Sequence, residues 1–218
     1  MSFVFFFLLV VCNTVPFLLY FFFPFSFIAA FYNDLQVQEF FEPIQPQVVV
    51  DMSCATGLFT RRFAKSNEYP RVIGCDYSNA MLLEARSRIE NEFQQDNVDI
   101  KTRLDLVRCD VAKIPMQTLS VDAMHAGAAM HCWPDLDSGL SEIHRVLKNG
   151  GRFFATAFLS RYFKMARNRG NGLQGQAFQY FESVDQVKEL LIKAGFDQDH
   201  VQVDLIGEAC IVIKAEKS

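Results

Sequence analysis

The stretch VVVDMSCATGLFTRRFA, residues 48–64, predicts a buried strand that passes through a tight turn into a helix. It opens with the β-branched run Val48 to Val50, which is typical of a central parallel strand covered on both faces. Asp51 ends the run, and a helix starting near Leu58 would point its free N–H groups towards the turn. The turn contains small residues that let a backbone approach a ligand: Ser53, Ala55, Thr56 and Gly57. The stretch therefore predicts a nucleotide-like binding corner, with an ordinary strand-turn-helix connection as the alternative.

Alternating strand and helix patterns continue along the chain. Further strands are predicted at Arg71–Cys75, Leu104–Cys109, Val121–Ala126 and Arg152–Ala157. Helices are predicted at 34–41, after Ser78, at Leu136–Leu147 with Gly150-Gly151 as its stop, and from Ser183 to a stop at Gly195. This order predicts a parallel sheet with right-handed crossovers and a ligand at the carboxyl ends of its strands. The last two strands, Val201–Ile206 and Cys210–Ile213, are joined by so short a turn that they must pair antiparallel.

Three acidic residues fit the prediction of a ligand at the carboxyl ends of the strands. Asp51, Asp76 and Asp110 each follow or end a different strand. A single acid at a strand end is as often a turn or N-cap residue as a functional one. Three acidic residues at corresponding positions of three strands are harder to explain as turn residues. They indicate a ligand-binding site at the carboxyl-end edge of the sheet.

Composition restricts the class of protein. The 218 residues carry a net charge of −4, which gives no support for nucleic-acid binding, because that needs a basic face. Six cysteines show neither a C-x-x-C pair nor zinc spacing, so we expect no metal site and no disulfide framework. Residues 34–218 show no composition break, and residues 32–218 are expected to form one α/β domain.

Residues 1–31 differ from the rest, because they lack charged side chains and hold 11 of the 23 phenylalanines. Residues 3–31 are long enough for a membrane helix, which makes membrane contact one interpretation. A signal-type segment without a basic start is the second. A mispredicted translation start is the third, because a pyrimidine-rich stretch encodes Phe, Leu, Ser and Pro.

Residues 158–181 predict a long connection that is rich in arginine and glycine and contains no acid before Glu182. A solvated loop is the simpler interpretation. A lid or substrate-contacting segment above the strand ends is the functional one.

Four segments together resemble class I S-adenosylmethionine-dependent methyltransferases of the type 11 group, in particular plant and algal plastid-associated ones. They are VVVDMSCATGLFTRRFAKS, VIGCDYSNAML, HAGAAMHCWPD and EIHRVLKNGGRFF. The resemblance covers about residues 36–215. It implies a Rossmann-like, mostly parallel seven-stranded sheet of order 3-2-1-4-5-7-6 with the last strand antiparallel, helices on both faces, and a chloroplast location.

The resemblance also implies roles for individual residues. The loop that holds the methionine half of S-adenosylmethionine matches Asp51, Ser53, Ala55 and Gly57. Asp76, followed by Tyr77, matches the acid that accepts both ribose hydroxyls, and Asp110 with Val111 matches the adenine corner. His131 falls where the methyl group meets the acceptor, as a candidate base or as a residue that shapes the pocket. Trp133 either stacks on an acceptor or packs against the following helix.

The loop departs from the common G-x-G-x-G pattern, because Ser53 and Ala55 replace its first two glycines. These replacements are tolerable if their φ angles stay negative, although Ala55 narrows the space beside the cofactor.

The implied reaction is transfer of a methyl group to a small-molecule acceptor, quinone-like or lipid-like, without a metal. Two alternatives remain. A nicotinamide oxidoreductase would use Asp76 as its ribose acid, but the G-x-G-x-x-G turn is absent. A membrane-tethered protein that keeps the fold without turnover is the other.

Overall fold

The computed structural model describes residues 35–96, 103–160, 181–207 and 209–218. Its strands are β1 Val48–Met52, β2 Arg71–Asp76, β3 Leu104–Arg108, β4 Val121–Ala126, β5 Leu147–Phe158, β6 Val201–Ile206 and β7 Cys210–Glu216. Its helices are α1 at residues 35–41, α2 Leu58–Ser66, α3 Asn79–Asp96, α4 Leu136–Val146 and α5 Val184–Lys193. The sheet order is β3-β2-β1-β4-β5-β7-β6, and β7 is antiparallel to both neighbours. The expected Rossmann-like fold is confirmed.

Two hydrophobic clusters cover the two faces of the sheet. Alternate residues of each central strand point to opposite sides, so that Val50 lies in the larger cluster with α4 and α5. Val49 lies in the second cluster with residues of α1, α2 and α3. Because helices cover both faces of the sheet, Val49 and Val50 of β1 are apolar on opposite faces. It also leaves the carboxyl ends of the parallel strands as the edge where side chains gather.

Most predicted boundaries agree with the structure within one or two residues. Ser78 accepts a hydrogen bond from the Met81 N–H at 3.4 Å at the start of α3, and Ser183 accepts one from the Gln186 N–H at 3.1 Å at the start of α5. Gly195, at φ 112°, follows α5 as expected.

The predicted glycine stop of α4 is wrong. The helix ends at Val146 and the chain enters β5 directly, while the ammonium group of Lys217 donates hydrogen bonds to the carbonyls of His144 and Leu147, at 2.7 and 3.0 Å. Gly150 and Gly151 lie inside β5, where its pairing with β4 is irregular. A Cβ atom on Gly151 would lie 2.7 Å from the Lys148 carbonyl oxygen. Close backbone approach, rather than helix termination, therefore requires that glycine.

Two predictions lie outside the described residues: the membrane interpretation of residues 3–31, and all but the ends of the connection at 158–181. Within the described ranges, no helix has the length and hydropathy of a membrane span. The domain boundary near residue 32 stays a prediction.

Candidate active site

The loop between β1 and α2 follows an unusual backbone path. Ser53, Ala55 and Gly57 all adopt left-handed conformations, with φ angles of 58°, 49° and 72°. The condition of negative φ at the two non-glycine positions is therefore not met. A left-handed conformation costs an L-residue about 1–2 kcal/mol. The loop keeps the backbone path of a glycine-rich turn at the expense of strain at Ser53 and Ala55.

Three side chains from other elements hold this strained loop. The Asp76 carboxylate accepts a hydrogen bond from the Ala55 N–H at 2.8 Å, and the Arg61 guanidinium donates one to the Thr56 carbonyl at 2.7 Å. The Trp133 indole N–H donates to the Ser53 hydroxyl oxygen at 3.0 Å. Strained conformations persist where surrounding contacts over-determine them. These contacts supply that constraint.

The second acid, Asp76, is the last residue of β2 and reaches the loop with one carboxylate oxygen. Its other oxygen accepts a hydrogen bond from the Ser78 N–H at 2.8 Å. Tyr77 is 69% exposed beside it, and the Arg108 guanidinium lies 5.7 Å from the centre of the Tyr77 ring. Asp76 thus connects the end of β2, the strained loop and the start of α3.

The third acid, Asp110, lies two residues beyond β3 and is exposed. One of its carboxylate oxygens accepts a hydrogen bond from the Ala112 N–H at 2.9 Å. Val111 turns into the core, where it packs close to Gly139. Asp51, Asp76 and Asp110 therefore lie at or just beyond the carboxyl ends of three neighbouring strands, as the sequence predicts.

Asp51 differs from the other two acids, because it is only 2% exposed and both of its oxygens bind protein groups. The Thr60 hydroxyl donates to one oxygen at 2.6 Å, and His125 Nδ1 lies 2.8 Å from the other. Since a carboxylate only accepts hydrogen bonds, the Nδ1 atom of His125 carries the proton. Asp51 thus joins β1, β4 and α2 beneath the loop.

His125 is not among the site residues that the sequence predicts, whereas His131 is. The His125 ring is fully buried among the rings of Phe59, Phe63 and Phe154, and the centroid of Phe59 lies 4.4 Å away. A Cβ atom on Gly127 would lie 2.9 Å from this ring, which explains the glycine after β4. The available signal was a histidine between the apolar residues Met124 and Ala126 of β4. Its register opposite Asp51 comes from the structure.

His131 lies in a short 3-10 turn, Met130–Cys132, after β4, with its ring 6.0 Å from that of Phe158. Burial lowers the pKa of His131 to about 4. The imidazole is therefore uncharged at neutral pH. Trp133, two residues later, is 3% exposed and packs against Gly139 of α4, in agreement with the packing interpretation.

The same edge offers further hydrogen-bonding groups. The Thr56 hydroxyl is buried and has no hydrogen-bond partner among the described residues. The first N–H groups of α2 have no intrahelical acceptors and point towards the loop. No set of three or more metal-binding side chains occurs in the described ranges.

Comparison with known proteins places this arrangement in a family. Residues 50–155 match a family model described as a methyltransferase domain. An Arabidopsis thaliana protein named as an uncharacterized chloroplastic methyltransferase is 38% identical over 173 residues, 78% of this chain and 48% of that protein. A demethylmenaquinone methyltransferase of Bacteroides fragilis is 28% identical over 110 residues, 50% of this chain and 42% of that protein. The chain thus spans less than half the length of these two relatives.

The fold is also shared with a solved structure, Haemonchus contortus phosphoethanolamine N-methyltransferase 2 in complex with S-adenosyl-L-methionine. That structure superposes with a TM-score of 0.66 at 20% identity, over 85% of this chain and 52% of that one. The family match shows that residues 50–155 belong to a methyltransferase domain, and the chain shares the fold of a methyltransferase solved with S-adenosyl-L-methionine.

Proposed function

We propose that the chain binds S-adenosylmethionine at the carboxyl ends of β1, β2 and β3 and transfers its methyl group to a small-molecule acceptor. The observation that carries this proposal is the hydrogen bond between Asp76 and the Ala55 N–H. It holds the acid and the strained loop together as one rigid edge. Preorganised groups of this kind bind a ligand without paying to order themselves.

The polar groups at this edge fit the chemistry of the cofactor. Carboxylates at Asp76 and Asp110 suit its ribose hydroxyls and adenine amine. The Thr56 hydroxyl and the N–H groups at the start of α2 suit the carboxylate of its methionine part. Loop residues Ser53, Ala55 and Gly57 hold that part, and Tyr77 and Val111 flank the nucleoside. In this proposal Asp51 supports the loop from below, because it is only 2% exposed and its oxygens already bind Thr60 and His125. Asp76 is less buried, so its oxygens can accept hydrogen bonds in addition to those from the Ala55 and Ser78 N–H groups.

The bound cofactor supplies an electrophilic methyl group on a sulfonium centre. The carbon–sulfur bond breaks as the new bond to the acceptor forms, S-adenosylhomocysteine leaves, and the acceptor loses a proton. The protein contributes alignment and exclusion of water.

His131 is proposed to take the proton of the acceptor. The hydroxyl group of a phenol or enol becomes strongly acidic as the methyl group bonds to its oxygen or to the neighbouring ring carbon, so even an imidazole with a pKa of about 4 can accept that proton. Since the ring is uncharged at neutral pH, it also does not repel the positive sulfonium. The proton then passes to water.

We infer that the acceptor is a quinone-like phenol or enol. The support is the Bacteroides relative, whose name states demethylmenaquinone as its substrate. An assay of methyl transfer from S-adenosylmethionine to a reduced demethylated quinone, with phosphoethanolamine as the comparison, tests this proposal. Product from phosphoethanolamine alone would contradict it.

We further propose a chloroplast location, supported by the Arabidopsis relative. Membrane contact through residues 3–31 is supported by their hydropathy alone. Fractionation of chloroplasts from the source cells, followed by carbonate extraction of the membranes, tests both proposals. Recovery of the protein outside chloroplasts contradicts the first, and complete release by carbonate contradicts an integral membrane helix.

Calorimetry of the full chain with S-adenosylmethionine, S-adenosylhomocysteine and NADH tests the cofactor. Binding of the first two, without NADH, is expected. Asp76→Ala should weaken that binding about tenfold or more, because it removes charged hydrogen bonds. The matched control is Asp105→Ala in neighbouring β3, where an exposed carboxylate pairs with Arg71 at 2.9 Å. Binding of NADH alone, or equal affinity in both variants, would contradict the proposal.

A further inference from the structure

The hydrogen bond between Trp133 and Ser53 joins the two loops that the proposed reaction needs. Ser53 belongs to the loop after β1, and Trp133 follows the turn after β4 that contains His131. Because β1 and β4 are neighbours in the sheet, the bond crosses between two walls of the same edge. Its donor and acceptor are 80 residues apart in sequence.

Each partner of this bond is constrained. The indole of Trp133 packs in the core against Gly139, where a Cβ atom would lie 3.4 Å from the ring, so the ring has little freedom to move. Ser53 is held at φ 58°, a conformation that a serine adopts only at a cost. A rigid donor therefore meets an acceptor held in one strained conformation.

The backbone transmits this constraint to His131. The backbone N–H of Trp133 donates a hydrogen bond to the Met130 carbonyl at 3.2 Å, and the backbone N–H of Cys132 donates one to the Ala129 carbonyl at 2.8 Å. These bonds close the turn on both sides of His131. The loop that contains Ser53 and the turn that carries the proposed base are therefore held in one relative position.

We propose that Ser53 and Trp133 are positioning residues, which couple the cofactor loop to the acceptor side through the indole hydrogen bond. This inference rests on the proposed function. In its terms, a serine in place of the common glycine is the acceptor for the tryptophan. A glycine at this position would avoid the strain but could not receive the bond.

Calorimetry with S-adenosylhomocysteine tests the coupling in the full chain. Ser53→Ala removes the acceptor but keeps the side-chain strain, and Trp133→Phe removes the donor. Each should weaken binding about tenfold, because a lost bond leaves its partner unsatisfied and the loop less ordered. The double variant should lose no more than either single variant, since both remove the same interaction.

A purely structural role would give a different result. In that case the unfolding midpoint would fall in the variants while the affinity of the folded protein stayed at the parental value, which would overturn the inference. Ser66→Ala is the matched control, because its hydroxyl bonds only locally to the Phe63 carbonyl and the Glu68 N–H at the far end of α2. It should bind S-adenosylhomocysteine as the parent does.

A second measurement needs no variant. Trp133 is the single tryptophan of the chain, so ¹⁵N-labelled protein shows one indole N–H resonance. Saturation with S-adenosylhomocysteine should shift this resonance and slow its exchange with solvent. If the resonance stays unchanged in protein that binds S-adenosylhomocysteine by calorimetry, the coupling is overturned and the proposed function stands. If the parent protein does not bind S-adenosylhomocysteine, the proposed function itself is contradicted.

Discussion

Asp51 of β1 and His125 of β4 are register partners in adjacent parallel strands, and their side chains meet at 2.8 Å inside the core. The same carboxylate accepts a hydrogen bond from Thr60 at the first turn of α2. One buried group thus fixes two strands and a helix directly beneath the proposed cofactor loop.

We predict that Asp51→Ala lowers the free energy of unfolding by about 3–5 kcal/mol, because it leaves His125 and Thr60 buried without their acceptor. Urea unfolding followed by circular dichroism measures this loss. The control, Asp105→Ala, removes an exposed ion pair and should change stability by about 0.5 kcal/mol or less. Similar losses in both variants would show that the buried pair contributes little.

Ala55→Gly should raise the free energy of unfolding by about 1 kcal/mol, because glycine adopts a φ of 49° without steric strain. It should also tighten binding of S-adenosylmethionine in calorimetry, since it removes the methyl group that narrows the loop. The control is Ala80→Gly, an exposed position in the first turn of α3, which should cost up to about 1 kcal/mol. Destabilisation by both variants would indicate that Ala55 is not strained.

Stability should depend on pH through His131. Burial lowers its pKa to about 4 from an ordinary value of 6.5, so the unfolded chain binds a proton more readily than the folded one. The uncharged, buried His131 contributes its full share of the free energy of unfolding above pH 6.5. This share is lost as the pH falls towards 4, by up to about 3 kcal/mol. Urea midpoints of His131→Gln between these pH values should therefore fall less than those of the parent.

The control for this pH effect is His200→Gln, at an exposed position. It should keep the parental fall in stability between pH 6.5 and 4. A His131→Gln profile parallel to that of the parent would show that His131 titrates normally in the folded protein.

Among the described cysteines, Cys132 is exposed, and the others are buried: Cys54, Cys75, Cys109 and Cys210. Burial raises the pKa of the Cys54 thiol further above its ordinary range, which keeps it protonated and unreactive. We expect brief treatment of native protein with iodoacetamide to modify Cys132 before those four. Peptide mapping by mass spectrometry measures the order, and urea-unfolded protein, in which all should react, is the control. Equal labelling of Cys75 in native protein would contradict the predicted order.

The sequence determined the order of helices and strands and the positions of Asp51, Asp76 and Asp110 at the carboxyl-end edge of the sheet. These features follow from local apolar periodicity and from the geometry of parallel sheets, in which carboxyl ends share one edge. The antiparallel closing pair followed from the short connection between Ile206 and Cys210 for the same local reason. The glycine stop after α4 was wrong because Lys217, seventy residues away in sequence, caps that helix.

The tertiary structure alone decided how the edge is held. The left-handed φ angles of Ser53 and Ala55 persist because Asp76 and Trp133 hold the loop from other elements. The partnership of Asp51 with His125 depends on register between strands that are 74 residues apart. Local patterns carry no information about such contacts, because the hydrogen bonds that offset strain and burial form only when distant strands pack side by side.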